Sequence, residues 1–356
     1  MDRGIPVLIV AGFLGAGKTT LLNHLLRRRD ARIGVVVNDF GAVNIDAMLV
    51  AGQVDAMVSL GNGCVCCAVD VGELDEMFDR LSQPRNRIDV IVVEASGLAE
   101  PRNLIRMVIG SDNPRIHYGG LLEVVDAEHF DDSRARHPEL ATHLRLADLI
   151  VLNKADRVPA ERLERLRAEL TEVVGAAPVY ATAHGRIDPH LLFDVPQRGE
   201  PSVAEQLSFD ELLADHDHHD GDGHHHLHDG YDTVTFTSAT PLDPRRLVEF
   251  LENPPRGLFR AKGHIVFGVA GEHRKFLLHM VGRHVVFEPV PPSRAESGET
   301  CVVFIGSGMA ADAVTTRLRD ALHADTEPLD AQTLLGIWHY VPRELSDTLE
   351  YADMPE

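Results

Sequence analysis

A chain of 356 residues has room for two or three domains, each able to bury a core of its own. Its composition, 44% hydrophobic and 25% charged, is that of an ordinary globular protein, and its formal charge of −21 excludes a non-specific nucleic-acid binder, which needs a basic face. Four cysteines, three of them crowded at Cys64, Cys66 and Cys67, cannot lay out a spaced disulfide framework, so a reducing cytoplasm is expected.

The apolar run Ile5 to Ala11 is too short to span a bilayer and lacks the small-residue cleavage site of a signal peptide; no membrane segment follows it. Its β-branched stretch Val7 to Ala11 reads as a parallel strand buried on both faces. Behind it, Gly12-Phe13-Leu14-Gly15-Ala16-Gly17-Lys18-Thr19-Thr20 matches the phosphate-loop pattern G-x-x-x-x-G-K-[ST], and Leu21 to Leu26 continues as a helix. Glycines at 12, 15 and 17 let the backbone N–H groups of the loop, from Gly12 through Ala16 to Thr20, face phosphate oxygens, and the helix N-terminus adds partial positive charge. Lys18 is expected to reach the β- and γ-phosphates, and the Thr19 hydroxyl to join a Mg²⁺ shell.

A second strand, Ile33 to Val37, runs into Asn38-Asp39-Phe40-Gly41, with further acids at Asp46 and Asp55. P-loop NTPases often place there a switch that senses Mg²⁺ and the γ-phosphate. Asp39 and Asp46 are candidates to hold Mg²⁺, directly or through water; a plain strand-end turn is the alternative. Next comes Gly61-Asn62-Gly63-Cys64-Val65-Cys66-Cys67. Glycines allow neighbouring side chains to converge, and closely spaced thiolates suit a soft ion such as Zn²⁺ or Co²⁺. A buried cluster of small apolar thiols is the plain alternative.

Val71 to Leu81 has helical spacing, and Ile88 to Val93 is another buried strand. It ends at Glu94-Ala95-Ser96-Gly97-Leu98-Ala99-Glu100-Pro101, a carboxylate and glycine placed like a Walker B acid with a second switch. Glu94 would organise the Mg²⁺ shell or the attacking water, and the Gly97 N–H would face the γ-phosphate. Strands at Gly120 to Asp126 and Ala147 to Leu152 follow, the latter ending in Asn153-Lys154-Ala155-Asp156, the N-K-x-D element of guanine readers. The Asp156 carboxylate can accept from the guanine N1–H and 2-amino groups, which adenine does not offer in that arrangement, and the Lys154 stem can pack along the base. After a short strand at Pro178 to Ala181, the stretch Ala181 to Gly185 is a candidate for the remaining base contacts. Residues 5–195 thus read as a doubly wound, mostly parallel α/β sheet with nucleotide at the strand ends.

Half of residues 215–228 are histidine, at His216, His218, His219, His224, His225, His226 and His228, mixed with Asp and Gly. Such a segment cannot build a core and reads as an arm with auxiliary affinity for Zn, Ni, Co or Cu. Beyond it, strands at Tyr231 to Thr237, Phe276 to Val281, His284 to Glu288 and Thr300 to Gly306, with helices at Asp243 to Leu251 and Ala310 to Leu322, suggest a smaller α+β domain whose sheet is covered on one face. Cys301 reads as a core thiol, and His264, His273, His279 and His284 as packed or surface residues. Trp338 reads as packed, and the stretch after Asp325 has no assignment. The expected layout is a P-loop domain over 1–200, a linker over 201–230, the second domain over 231–325 and a tail over 326–356.

The Walker A loop, Asn38-Asp39-Phe40-Gly41, the Gly-Asn-Gly-Cys-Val-Cys-Cys loop, Glu94 to Pro101 and Asn153 to Asp156 occur in one order, and together they resemble the CobW-type GTPases, relatives of the urease and hydrogenase nickel-insertion GTPases. Arg260-Ala-Lys262-Gly263 is similar to a stretch of that family's C-terminal domain. The resemblance implies a GTP-hydrolysing metallochaperone, with Cys64, Cys66 and Cys67 as ligands of a divalent metal, zinc foremost and cobalt as the alternative, and Glu94 as the acid in place of the usual Asp. It implies a client metalloprotein, no nucleic acid or membrane as partner, and admits a nucleotide-dependent homodimer. Asn38-Asp39 stands where many relatives have Asn-Glu, which shortens the reach of that acid. No arginine is identifiable as a finger, so slow intrinsic hydrolysis is expected. Rival expectations are a metal store built on the histidine-rich arm and a small-molecule kinase, the latter disfavoured by Asp156.

Overall fold

A computed structural model describes residues 4–28, 31–37, 56–59, 71–95, 100–195, 231–290, 298–325 and 327–342. Its first sheet is built from β1 (Ile5–Ala11), β2 (Ile33–Val37), β3 (Ala56–Ser59), β4 (Val90–Glu94), β5 (Ile116–Asp126), β6 (Leu149–Asn153) and β7 (Val179–Ala181), in the order β3-β2-β4-β1-β5-β6-β7. The pairings β2–β3, β2–β4, β1–β4 and β1–β5 are parallel. Parallel neighbours need crossover segments, supplied among others by α1 (Lys18–Arg27), α2 (Val71–Leu81) and α3 (Pro101–Ile109). Further along come α4 (Phe130–Arg136), α5 (Leu140–Leu146), α6 (Ala160–Val174) and the short α7 (Pro189–Leu192). β4 and β6 are buried at every position, as a strand covered on both faces must be.

Two features of this sheet set up the site. The chain runs to one side of β1 for β2, β3 and β4 and to the other for β5 onward, so the crevice at the carboxyl end of β1 is a topological switch point. The register also aligns Ser59, Val37, Glu94 and Val10 in one row across β3, β2, β4 and β1. β3 was not expected from the sequence. Four residues give too short a pattern for periodicity to mark a strand.

The second sheet comprises β8 (Asp232–Ser238), β9 (Leu258–Ile265), β10 (Lys275–Val281), β11 (His284–Val290) and β12 (Thr300–Gly306), ordered β11-β10-β9-β12-β8 and antiparallel throughout. Alternate residues point inward: Phe276, Leu278 and Met280 of β10 join Phe236, Phe287 and Phe304 in a core with Leu247 and Phe250 of α8 (Pro244–Glu252) and Val314 and Leu318 of α9 (Ala311–Asp320). Asp243 caps α8 by accepting from the backbone N–H groups of Arg245 and Arg246. Phe250 meets Phe304 edge-on at 5.7 Å, and the Arg317 guanidinium lies 5.1 Å over the Phe250 ring.

Here two expectations change. Cys301 is partly exposed, on the opposite face from the inward Val302 and Phe304, because side chains alternate along a strand. The unassigned stretch after Asp325 forms a 3₁₀ turn, Ala331–Leu334, and a short helix α10 (Leu335–Trp338), whose Leu334 and Ile337, with Val341, complete the second core. Trp338 packs edge-on against Phe276 at 5.9 Å under the Arg274 guanidinium, which two bonds of 2.8 Å hold to Glu272. Among the described residues no helix is long and apolar enough to cross a membrane.

Because Ile337 is fully buried in that core, Ile337→Ala should destabilise the second domain by about 2–5 kcal/mol. Urea unfolding followed by the fluorescence of Trp338, the chain's one tryptophan, measures this.

Candidate functional site

The chain leaves β1 at Gly12, where a Cβ would lie 2.3 Å from the Val124 carbonyl oxygen of β5, and enters α1 through Gly17, where a Cβ would lie 2.2 Å from the Asn153 side-chain nitrogen. Both have positive φ, 140° and 105°, so glycine is required twice over, by conformation and by close approach. The loop curls onto its own lysine. Lys18, 8% exposed, donates from Nζ to the carbonyl oxygens of Gly12 at 2.7 Å and Phe13 at 3.2 Å. α1 carries no acid in its first turn, leaving its positive N-terminal end to an anion.

Thr19 donates its hydroxyl to Glu94 Oε1 at 3.0 Å, joining residues 75 apart in sequence, and Glu94 is 3% exposed at the end of β4. A hydroxyl and a carboxylate meeting at a phosphate loop form the hard, all-oxygen donor pair that Mg²⁺ takes together with phosphate oxygens. These two residues therefore fit the ion.

The Asn153-Lys154-Ala155-Asp156 run sits at the end of β6. Asn153, 2% exposed, spends both halves of its amide on the protein, donating to the Ala16 carbonyl at 2.9 Å and accepting from the Gly185 N–H at 2.9 Å. It ties the phosphate loop to the 184–185 turn rather than reaching outward. Gly185 and His184 both have positive φ, and a Cβ on Gly185 would lie 2.7 Å from the Leu21 backbone, so the turn rests on α1. Lys154, also with positive φ, holds Asp126 Oδ2 at 2.6 Å. Burial pushes the Asp126 carboxyl up, but hydrogen bonds from Lys154, His129 and the Glu128 N–H outweigh it and hold the group below its usual range. Asp156 is exposed, 3.9 Å from His184 Nε2, with its carboxylate open to donors.

Sequence reasoning passed over one residue. Glu123 lies inside β5, in register with Ala11, and is wholly buried; neither carboxyl oxygen has a hydrogen-bond partner. Burial drives its pKa from the ordinary 4.5 to about 8, against the opposing charge of Lys18. The available signal was an acid in the middle of an apolar strand, Leu121-Leu122-Glu123-Val124-Val125. Among the described residues, Asp126, Glu128 and His129 also bring donor atoms within 4.8 Å of one another, but Asp126 already serves Lys154. The expected site residues Asp39, Asp46, Cys64, Cys66, Cys67, Gly97 and the histidines at 216–228 lie outside the described residues.

The sequence family described as CobW/HypB/UreG, nucleotide-binding domain, matches residues 6–181, and the cobalamin synthesis protein CobW C-terminal domain matches residues 231–322. The chain belongs to the CobW/HypB/UreG family. Among CobW relatives, the zinc chaperone YjiA of Escherichia coli K12 is 34% identical over 197 residues, 53% of this chain and 61% of YjiA, so the match spans less than two thirds of that relative. The zinc chaperone CobW of Sinorhizobium sp. is 29% identical over 314 residues, 79% of this chain and 86% of that protein. The crystal structure of Zn(II)-bound YjiA GTPase from E. coli aligns over 90% of this chain and all of that one, with 23% identity and a TM-score of 0.42.

Removing the Asn153 amide orphans a buried carbonyl and a buried N–H. Asn153→Ala should therefore cost about 1–3 kcal/mol for each group left unpaired. It should lower the thermal midpoint and speed hydrogen exchange at Gly185, both measurable in the nucleotide-free protein.

Proposed function

We propose that this chain binds and hydrolyses GTP on the Gly12–Thr20 loop, and that nucleotide state controls how firmly it holds a divalent transition metal at Cys64, Cys66 and Cys67 before passing it to a client protein. Zinc is the favoured cargo, in keeping with the two relatives named as zinc chaperones; cobalt is the alternative. Lys18 and the α1 N-terminus bind the phosphates, Thr19 and Glu94 hold Mg²⁺, and Gly97 offers its N–H to the γ-phosphate. An ion held by Thr19 and Glu94 would supply positive charge against the phosphate oxygens. Asp156 selects guanine, and Asn153 keeps the base corner in register with the phosphate loop. Asp39 and Asp46 are the acids assigned to the first switch, and the histidine-rich arm is assigned to metal loading. We place this activity in the cytoplasm.

One observation supports the coupling above the others: the sheet row that runs Ser59, Val37, Glu94, Val10. At the usual strand spacing Ser59 stands about 10 Å from the Mg²⁺-facing Glu94. Cys64 follows Ser59 by five residues, a reach of at most about 18 Å. A change in the strand ends around Glu94 therefore acts on the root of the cysteine loop. Three thiolates also leave a tetrahedral ion one ligand short, which gives a transfer partner a place to enter.

Competition titration should give different zinc affinities with GTP and with GDP bound, and Cys66→Ala should weaken both. Equal affinities in the two states would sink the coupling, since a ligand shifts an equilibrium only through differential binding. Asp156→Ala should raise the Kd for GTP roughly 10- to 100-fold, the worth of a charged hydrogen bond, and narrow the preference over ATP; nucleotide titration reads both.

A further inference from the structure

We propose that Glu123 is a proton-linked acid beneath the phosphate loop, and that seating a nucleotide phosphate on the loop draws up to one proton from solvent onto its carboxylate. The inference rests on the reading of the loop as a GTP and GDP site.

The geometry is that of a buried acid given nothing to bond. Glu123 stands on β5 opposite Ala11, the residue that leads into the phosphate loop, and one position before Val124, whose carbonyl packs against Gly12. It is wholly inaccessible, and both carboxyl oxygens lack hydrogen-bond partners. Packing alone would be served by another Leu or Val, as at its neighbours, and burying a carboxylate unpaired is costly. The buried residues of α3, which packs on β5, are Pro101, Leu104 and Val108, none of them charged. Ala11 faces it from β1, and the next acid on its own strand, Asp126, is engaged by Lys154. Among the described residues, the charge that acts on Glu123 is that of Lys18.

Lys18 is bonded to the Gly12 and Phe13 carbonyls, and its ammonium favours ionisation of Glu123 while burial opposes it; the two leave the carboxyl titrating at about 8. Phosphate on the loop neutralises the ammonium and adds negative charge above the acid. Both changes favour the neutral carboxyl, and low dielectric magnifies them. The group then takes up a proton, and a neutral Glu123 no longer competes with phosphate for the charge of Lys18. By linkage, nucleotide affinity is greatest while Glu123 is already protonated and falls as pH rises through about 8.

Calorimetric titration of the full chain with GDP, in two buffers of different ionisation enthalpy, counts the protons. At about pH 8.5 the wild type should take up roughly half a proton or more per GDP bound beyond the uptake of Glu123→Gln, and at about pH 6, where the GDP phosphate titrates in both, the two should not differ. Glu123→Gln, which fixes the neutral form, should take up none at about pH 8.5 and keep a Kd that is flat between about pH 7.5 and 8.5. GDP binding without uptake in the wild type, or with the same uptake in Glu123→Gln, overturns the proposal. Absence of GDP binding in the wild type overturns instead the nucleotide reading beneath it. If the variant does not fold, the wild-type contrast between the two pH values decides the matter.

Discussion

The close approach of the phosphate loop to the two strands beside it is the constraint on which the rest depends. Gly12 passes against Val124 of β5 and Gly17 against Asn153 of β6, with no room for a side chain at either place. That contact lets the loop curl so that Lys18 closes on its own carbonyls, and it starts α1 where Thr19 meets Glu94. It also lets Asn153 bond Ala16 and Gly185 at once. The proposed phosphate, metal and base contacts thus rest on one packing arrangement.

The same arrangement places ionisable groups where water cannot screen them. Asp126 accepts four hydrogen bonds and is held below the usual carboxylate range, whereas Glu123 on the same strand has none among the described residues and is driven toward neutrality by burial. Two carboxyls on one strand therefore carry different charge at neutral pH, for reasons that lie in their surroundings and not in their chemistry.

The second sheet obeys a simpler rule. One face is packed with aromatic residues against α8 and α9, so alternation along each strand sorts side chains into core and periphery. Alternation also explains why Cys301 is outside that core although Val302 is in it. The helix after Asp325 is too short to show a period, yet Ile337 and Trp338 close the core by packing on residues far away in sequence.

What the sequence determined by itself was whatever is local. A strand, a glycine-rich loop with Lys18-Thr19 and a helix are contiguous, and their chemistry follows from residue types at fixed spacing. The acid at the end of β4 and the N-K-x-D run at the end of β6 were legible for the same reason, because a buried strand and its polar terminus are neighbours in the chain. The alternation of strands and helices was enough for a doubly wound sheet. Tertiary structure decided what depends on register and burial. The bonds of Asn153 to Ala16 and Gly185 are not legible in its own run, and Glu123 reads as an ordinary strand residue until its burial, with no hydrogen-bond partner among the described residues, is seen. β3 and α10, four residues each, owe their form to neighbours, since so few residues carry too little propensity to specify it. The physical reason is the same in each case: spacing along a chain reports local geometry, whereas desolvation, pairing and proximity across strands exist only once distant segments have met.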